Sequence, residues 1–472
     1  MARASRPLSD LSRNHSPPPP RMKFHRHLHL ALILLPFIGL ATPSPTFAAN
    51  DGSTVSLAAT PSGSWQLLRD GQPFEVRGVG RLTNMDLAAA CGANTIRTYN
   101  SPLEPDALAD ARRLMDEARA KGLAIIRGIN LQRESNNFSY SNSADLQRQR
   151  DIIRASVRAY RDHPALLLWG LGNEAEGPRT KDVYPEFWRE LDVLARIVKE
   201  EDPRHPVMTV IAGSGAWKIK AIHDYYPSLD ILGVNTYGGA AALPARLDKA
   251  GWEKSYLLTE YGPRGHWEVP KTKWDAPIEP ASEAKAANYA RGYIGAKNDP
   301  KGRFLGAVCF VWASKQEITS TWYGMFLPTG EKTPAVDHIS QAYQGRWPAN
   351  RSPRIKSLKS PGLDRKEVPP GATFTATIEA DDAENDPLTY EWKVIRESGQ
   401  KWAEGAAEKV PPTIDGCIQG DATAVAAPTV TVRTPDKPAA YRLFVFVRDG
   451  RGGGATQNIP FLVVDKNAAG EN

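Results

Sequence analysis

The chain has 472 residues, with 59 lysines and arginines against 53 aspartates and glutamates. Hydrophobic residues make up 41% of it and charged residues 24%, which excludes a collagen-like, low-complexity or mainly disordered protein. Six basic residues and only one acidic residue fall within residues 1–48, so the rest of the chain is close to neutral. The charge distribution therefore gives no indication of a nucleic-acid partner.

The first fifty residues have the order of a secretory signal. A basic stretch precedes the apolar run Leu28–Leu40, and small residues follow at Thr46 and Ala48. The run is shorter than the roughly 20 residues that span a bilayer. We therefore exclude residues 1–48 from the fold as an extension and signal peptide. We predict an exported protein, periplasmic or extracellular, without an integral membrane segment after signal removal; a short membrane anchor is the alternative.

The cysteines are too few and too scattered to build a disulfide framework or a zinc site. They lie at Cys91, Cys309 and Cys417, and no Cys-x-x-Cys or Cys/His cluster occurs. We expect no metal site and no cofactor. Nothing in the sequence bears on the oligomeric state.

Between residues 74 and 312, short and continuously apolar runs alternate with longer amphipathic stretches. Such runs are typical of parallel strands that helices cover on both faces. Eight of them predict an α/β fold, a (β/α)8 TIM barrel, with a doubly wound open sheet as the competing arrangement. The strand candidates are Phe74–Gly80, Asn94–Tyr99, Leu123–Ile129, Leu166–Leu171, Val207–Ala212, Ile231–Tyr237, Tyr256–Thr259 and Phe304–Trp312.

Helical patterns separate the strand candidates, and a hairpin precedes them. An Asp70-Gly71 turn between two short runs predicts this hairpin, which we expect to close the barrel floor. The first predicted helix starts at a proline and ends before a glycine, as helices commonly do. The predicted helices are Pro105–Lys121, Ala144–Asp162, Pro185–Glu201, Ala216–Tyr226, Leu243–Ala250 and Ala281–Lys297.

After about residue 345 the pattern changes from helical to strand-like. Residues 347–353 have the composition of a linker, and the subsequent runs alternate with period two. We predict a smaller all-β sandwich over residues 353–467 and, before it, a barrel domain over residues 49–346 that is active without the sandwich. The strand candidates of this module are Thr373–Ala380, Leu388–Val394, Thr429–Val432 and Tyr441–Val447.

An acidic turn, Asp381–Pro387, lies between two of these strands. The region resembles polycystic-kidney-disease-type, immunoglobulin-like or cadherin-like modules, in which such turns are calcium-site candidates. We favour a solvated turn over a calcium site.

Two glutamates follow strand candidates on opposite sides of the predicted barrel mouth. Glu174 follows the fourth strand and Glu260 the seventh. The strand C-termini of such a barrel share the face that carries its chemistry. Cleavage of a glycosidic bond needs two facing carboxyl groups, one to protonate the leaving oxygen and one to attack or stabilise the sugar cation.

The segments around both glutamates resemble retaining glycoside hydrolases of clan A, and residues 163–174 resemble the acid/base segment of family 2. The resemblance covers about residues 65–345. It implies that Glu174 is the acid/base and Glu260 the nucleophile. It also implies four substrate-binding or supporting residues, which are Arg97, Asn173, Tyr237 and Trp312.

The family 2 resemblance is incomplete, and it leaves three functions open. The sandwich domains that precede most family 2 barrels are absent, and Asn94–Arg97 is similar to a strand of β-glucanosyltransferases. Our leading interpretation is a retaining β-glycosidase with a carbohydrate substrate, a β-glucan above all. A β-glucan transglycosylase and a non-catalytic polysaccharide-binding protein are the alternatives. Four loop tryptophans are candidates for stacking on sugars; they are Trp217, Trp267, Trp274 and Trp322.

Overall fold

The computed structural model describes residues 52–61, 63–81, 83–134, 138–176, 184–398, 408–420 and 427–465. The predicted signal segment lies outside the described residues. Across these ranges, no helix combines the length and the apolar character that crossing a membrane requires.

Three short strands precede the barrel: β1 (Val55–Ala59), β2 (Trp65–Arg69) and β3 (Gln72–Pro73), paired antiparallel in that order. The turn between β2 and β3 has positive φ at Asp70 (52°) and Gly71 (75°), as the two central positions of a type I′ turn require. The hairpin predicted from the Asp-Gly pair is therefore confirmed, with a shorter second strand.

Eight parallel strands then form a closed barrel in chain order, and the last strand pairs with the first. This closure confirms the predicted TIM barrel and excludes an open doubly wound sheet. The strands are β4 (Val76–Gly80), β5 (Thr95–Arg97), β6 (Ala124–Ile129), β7 (Leu166–Asn173), β8 (Val207–Ala212), β9 (Ile231–Asn235), β10 (Tyr256–Tyr261) and β11 (Phe304–Cys309).

In the part of the chain that the structure describes, eight α-helices cover the barrel, and six of them match the predicted helices to within two residues at either end. No sequence pattern indicated the first, which is only six residues long, or the last, which comes after the irregular segment beyond β11. The helices are α1 (Met85–Ala90), α2 (Pro105–Ala120), α3 (Ser143–Tyr160), α4 (Pro185–Glu201), α5 (Ala216–Tyr225), α6 (Leu243–Lys249), α7 (Ser282–Lys297) and α8 (Pro334–Gln344).

As predicted, side chains from the strands before the barrel fill the end of the barrel opposite its mouth. Val55 of β1 and Leu67 of β2 belong to the same buried cluster as Ala124, Leu168 and Val210 of the barrel strands. Burial of such aliphatic side chains stabilises a fold by about 1.5–3 kcal/mol each. The chemistry of the barrel is thereby confined to the opposite end.

A buried polar contact fastens the segment before β1 to the barrel. The Ser53 hydroxyl donates to the Leu166 carbonyl oxygen (2.5 Å) and lies 3.0 Å from Nε2 of His205. Nδ1 of His205 lies 2.8 Å from the Asp202 carboxylate. All of these side chains are buried, so they hold the first described residues in place without presenting a reactive surface.

After the barrel, two four-stranded sheets form the all-β sandwich predicted from the period-two pattern. Their orders are β12-β14-β17-β16 and β13-β19-β18-β15. Trp392, Val445 and Phe461 lie in the core between them. The strands are β12 (Arg354–Lys359), β13 (Glu367–Val368), β14 (Thr373–Asp381), β15 (Thr389–Arg396), β16 (Ile418–Gln419), β17 (Thr429–Arg433), β18 (Ala439–Arg448) and β19 (Gly454–Val463).

The acidic turn between β14 and β15 is held by its own backbone and by arginines. Oδ1 of Asp382 accepts the N–H groups of Glu384 (2.9 Å) and Asp386 (3.0 Å), which is an Asx turn. Glu384 pairs with Arg351 (2.9 Å) and Asp386 with Arg451 (2.7 Å). The expected Asx turn is therefore present, but Asp382 at its centre is buried (8% exposed) and not solvated.

A buried polar network joins the sandwich to the barrel. Arg442 of β18 is 1% exposed; it donates to the Pro277 carbonyl oxygen (2.6 Å) and pairs with Glu397 (2.7 Å). Asn458 of β19 donates to the carboxylate of Glu279 (2.6 Å). Glu279 lies outside the barrel strands, in the segment before α7. Glu279 also pairs with Lys285 (2.7 Å), so the charged groups of both parts meet in one buried network.

The activity of residues 1–346 alone stays a prediction, and this interface is what the truncation would disturb. Leu327, from the segment after β11, packs in one buried cluster with Phe444 and Phe446 of the module. Truncation at residue 346 would expose this apolar contact and remove the Asn458 donor from Glu279. The barrel and the module lie in one compact unit.

We expect Arg442→Met to lower the free energy of unfolding by about 3–5 kcal/mol, because it leaves the buried Glu397 carboxyl without its cation. Burial already raises the pKa of Glu397. Urea denaturation measures the change. Arg433→Met is the matched control, since Arg433 pairs with Asp436 in solvent. Equal stability of the two variants would contradict the role given to the interface.

Candidate active site

The charged and polar residues of the site come from strands on both sides of the barrel mouth. Arg97 ends β5, Asn173 ends β7, Asn235 ends β9 and Glu260 lies near the end of β10. Glu174 follows β7 directly. All five side chains lie at the carboxyl ends of parallel strands, where barrels of this type carry their chemistry.

Glu260 is bound through both carboxylate oxygens and is 6% exposed. Oε1 accepts from Nη1 of Arg97 (3.1 Å), and Oε2 accepts from the Tyr237 hydroxyl (2.8 Å). Arg97 also donates to the Thr259 carbonyl oxygen (2.9 Å), so the guanidinium is anchored to the strand that carries Glu260. Each oxygen of this carboxylate therefore has its own donor, a guanidinium on one side and a phenol on the other.

Tyr237 is suited to remain a donor to this carboxylate. Burial, followed by the negative charge of Glu260 and the hydrogen bond to it, raises the pKa of Tyr237 well above its usual value. The pKa of Tyr99 is raised in the same way, by burial first and then by the charge of Glu260. Its ring stacks on the Arg97 guanidinium at 4.5 Å. Both phenols therefore stay neutral.

Arg97 links the two sides of the site through an asparagine. Nη2 of Arg97 donates to Oδ1 of Asn173 (2.7 Å), and Nδ2 of Asn235 lies 3.1 Å from the same oxygen. Nδ2 of Asn235 also donates to Oε1 of Glu174 (2.7 Å). One hydrogen-bonded network thus runs from Glu260 to Glu174 through Arg97, Asn173 and Asn235.

The backbone at Glu174 has an unusual conformation for a residue with a side chain. Its φ is +51°, in the left-handed region that favours glycine. Its N–H donates to the Val210 carbonyl oxygen of β8 (2.9 Å), which ties the turn to the neighbouring strand. The positive φ takes the chain sharply out of β7 and leaves the Glu174 carboxyl beside Asn235.

An aromatic cluster lies next to the Glu260 side of the site. The ring of Tyr237 makes edge contacts with Trp267 (5.8 Å between centroids), Phe310 (5.9 Å) and Tyr323 (5.6 Å). Trp267 is 58% exposed, whereas the other rings of the cluster are largely covered. The cluster therefore offers one open aromatic face within reach of a ligand.

Trp312 does not join this cluster. Its side chain is completely buried, its Nε1 donates to the Asn84 carbonyl oxygen (3.1 Å), and its ring packs against Phe326. The structure therefore corrects the expectation that Trp312 forms the floor of a sugar subsite. Strand β11 ends three residues earlier than the sequence suggested, and Phe310 is the residue of this segment that reaches the Tyr237 cluster.

Of the four loop tryptophans singled out in the sequence, Trp267 alone is exposed at the mouth. Trp322 is 1% exposed and donates to the Arg264 carbonyl oxygen (2.9 Å), so it anchors a loop. Trp217 packs against the barrel's outer core, and Trp274 is half-buried. Trp322 therefore has a structural role, and Trp217 and Trp274 are each only partly exposed.

Two loops at the mouth are joined by one carboxylate. Oε2 of Glu268 accepts the N–H groups of Gly238 (2.8 Å), after β9, and of Gly265 (2.7 Å), after β10. Trp267 lies beside this contact in the sequence. The exposed indole is thus held by a loop that is fastened to its neighbour.

Five of the six residues predicted for the site are brought together, and the sequence did not reveal the role of Asn235. A polar residue directly after the sixth apolar run was the available signal, but an asparagine there is also common in turns. Among the described residues, no group of three or more His, Cys, Asp or Glu could hold a metal ion.

The sequence matches a family model and a curated protein. Residues 69–265 match the family model "Glycosyl hydrolases family 2, TIM barrel domain". A β-glucuronidase of Sus scrofa is 24% identical over 192 residues, which are 36% of this chain and 26% of that protein. The chain therefore spans about a quarter of the length of this curated relative.

Solved structures with low sequence identity are also similar. A β-glucuronidase of Bacteroides uniformis has a TM-score of 0.48 at 14% identity, covering 87% of this chain and 48% of that one. A β-glucuronidase of Bifidobacterium dentium has a TM-score of 0.47 at 19% identity, covering 62% and 49%. Residues 69–265 match that family model and the eight strands close, so the chain contains a (β/α)8 barrel similar to the barrel domain of glycoside hydrolase family 2.

Proposed function

We propose that the protein is a retaining β-glycosidase that works by double displacement. The observation that carries this proposal is the network from Glu260 to Glu174 through Arg97, Asn173 and Asn235. It holds one carboxyl group between a cation and a phenol and the other beside an amide donor. Two carboxyl groups in such different surroundings suit the two different tasks of glycoside hydrolysis.

In the first step, the ionised Glu260 attacks the anomeric carbon of the bound sugar. The bond from this carbon to the leaving oxygen breaks, and Glu174 gives its proton to that oxygen. The products of the step are a free alcohol and a glycosyl ester on Glu260. Arg97 and Tyr237 keep the attacking oxygens in place, since both donate to them.

In the second step, Glu174 takes a proton from a water molecule, and the water oxygen attacks the anomeric carbon. The ester bond to Glu260 breaks, so the nucleophile is released as a carboxylate and Glu174 is protonated again. Two inversions at the same carbon give net retention of the β configuration. A sugar hydroxyl in place of water would give transglycosylation by the same intermediate.

For the substrate, we propose an oligosaccharide or polysaccharide, a β-glucan above all. The exposed Trp267, beside the cluster of Tyr237, supports a sugar chain that extends across the mouth, because indole faces stack on pyranose rings. Terminal β-glucuronides and β-galactosides are competing substrates, suggested by the names of the similar proteins. We also propose export, on the signal pattern of residues 1–48.

A hydrolysis screen tests the proposed function. Purified protein is offered defined β-glucans together with aryl β-glucosides, β-galactosides and β-glucuronides. Proton NMR then follows the first-formed product anomer, and mass spectrometry detects longer products of sugar transfer. A β product first supports the proposal; an α product first contradicts the double displacement. No turnover of any member would favour the non-catalytic binding protein.

We expect Trp267→Ala to weaken the binding of chain substrates. On the glucan that the screen identifies, KM should rise about tenfold, because a stacking contact worth roughly 1–3 kcal/mol is lost. On a small aryl glycoside, kcat should hardly change, since the indole lies outside the carboxyl network. Trp347→Ala, at an exposed indole after α8, is the matched control. Equal losses with both substrates would remove Trp267 from substrate binding.

A further inference from the structure

We propose that Asn235 is a positioning residue that determines which oxygen of Glu174 carries the catalytic proton. The inference rests on the proposed function, in which Glu174 is the acid/base, and extends it to a side chain outside the catalytic pair. It comes from the direction of each hydrogen bond around Asn235.

The direction is set first by Arg97, because a guanidinium can only donate. Its Nη2 lies 2.7 Å from one side-chain atom of Asn173, which must therefore be the amide oxygen. Asn235 approaches that same oxygen at 3.1 Å and must present its amino group to it. The charge of Arg97 thus fixes the orientation of the Asn235 amide, through the Asn173 oxygen that both residues contact.

The remaining atoms of the Asn235 amide agree with this orientation. Its second N–H lies 2.7 Å from Oε1 of Glu174, and its Oδ1 accepts the Thr259 hydroxyl at 2.8 Å. The reversed amide would place its oxygen against Oδ1 of Asn173, which cannot donate. Asn235 is 3% exposed and Thr259 is completely buried, so water does not compete for these contacts.

A carboxylic acid has one oxygen that carries the proton and one that only accepts. Since Oε1 of Glu174 accepts from Asn235, the proton is carried by Oε2 in the acid form. When Glu174 acts as the base in the second step, Oε1 keeps the same donor and Oε2 takes up the proton from water. Because of Asn235, the same oxygen of Glu174, Oε2, gives up the proton in the first step and takes one up in the second.

Leaving-group dependence tests this assignment. We expect Asn235→Ala to lower kcat/KM about 10–100-fold on a phenyl β-glycoside, whose leaving group needs the proton. On a 2,4-dinitrophenyl β-glycoside of the same sugar, the first step needs no proton, and the loss should stay within about threefold. Thr259→Val, which removes the hydroxyl from Asn235, should show a smaller split of the same kind, and Thr259→Ser should show less of it than Thr259→Val.

The inference would be overturned if Asn235→Ala lost kcat/KM equally on both glycosides. It would also be overturned if the difference in loss between the two glycosides were as large in Thr259→Ser as in Thr259→Val. Should the wild type turn over no member of the screen, the proposed function fails by itself, and crystal structures then decide on Asn235. A Glu174 carboxyl that moves from its wild-type position in Asn235→Ala but keeps it in Thr259→Ser supports the positioning role. A carboxyl that stays in both variants refutes it.

Discussion

Replacing Glu260 by alanine should lower turnover about 10⁴-fold or more on every substrate, because no glycosyl ester can form without this carboxylate. The loss should be the same for phenyl and dinitrophenyl glycosides, since an activated leaving group does not replace a nucleophile. Steady-state rates on both substrates measure it.

The fold of the variant needs its own control, because the change leaves the buried Arg97 without its carboxylate partner. Glu260→Gln keeps the shape of the side chain and should be as inactive as the alanine variant. Glu253→Ala, at an exposed glutamate after α6, should keep wild-type activity. A Glu260→Gln enzyme that folds and retains more than about 1% of the wild-type rate would remove the assigned nucleophile.

Replacing Glu174 by alanine should give a different pattern. On a phenyl glycoside, kcat/KM should fall about 10²–10⁴-fold, because the leaving oxygen receives no proton. On a dinitrophenyl glycoside, the ester on Glu260 should still form rapidly and then accumulate, since no base activates the water. Stopped-flow release of dinitrophenol should therefore show a burst and then a slow phase.

Azide separates loss of the acid/base from general damage to the site. This small anion attacks the glycosyl ester without a general base, so it should speed the slow phase of Glu174→Ala and yield a β-glycosyl azide. Glu260→Ala should give no such product, because it forms no ester. An α-glycosyl azide from Glu174→Ala, no rescue of that variant, or a β-glycosyl azide from Glu260→Ala would contradict the roles given to the two glutamates.

The barrel could be predicted because its information is local. Each buried strand is a short apolar run that periodicity reveals, and the predicted strand Val207–Ala212 has the same ends as β8. The two glutamates were found from the same pattern, since each stands directly at the end of such a run. The strand β19 was missed because its residues, with Pro460 among them, do not alternate regularly between polar and apolar.

The misplacement of Trp312 has a physical reason. The run from Phe304 to Trp312 is apolar throughout, so nothing in it shows where pairing with β4 stops; in the structure it stops at Cys309, opposite Val79. The role of Asn235 was hidden for another reason. Its partners lie at the end of β7 and on β10, up to 62 residues away in the chain, and only the closed barrel brings them together.

The left-handed backbone at Glu174 sets protein stability against catalysis. A side chain at a φ of +51° costs roughly 1–2 kcal/mol, and glycine would relieve that cost. A chain selected for thermal endurance alone would therefore drift toward glycine at this position and lose its proton donor. The strained glutamate therefore lowers stability at the position that the proposed chemistry needs, and packing elsewhere in the barrel must offset that cost.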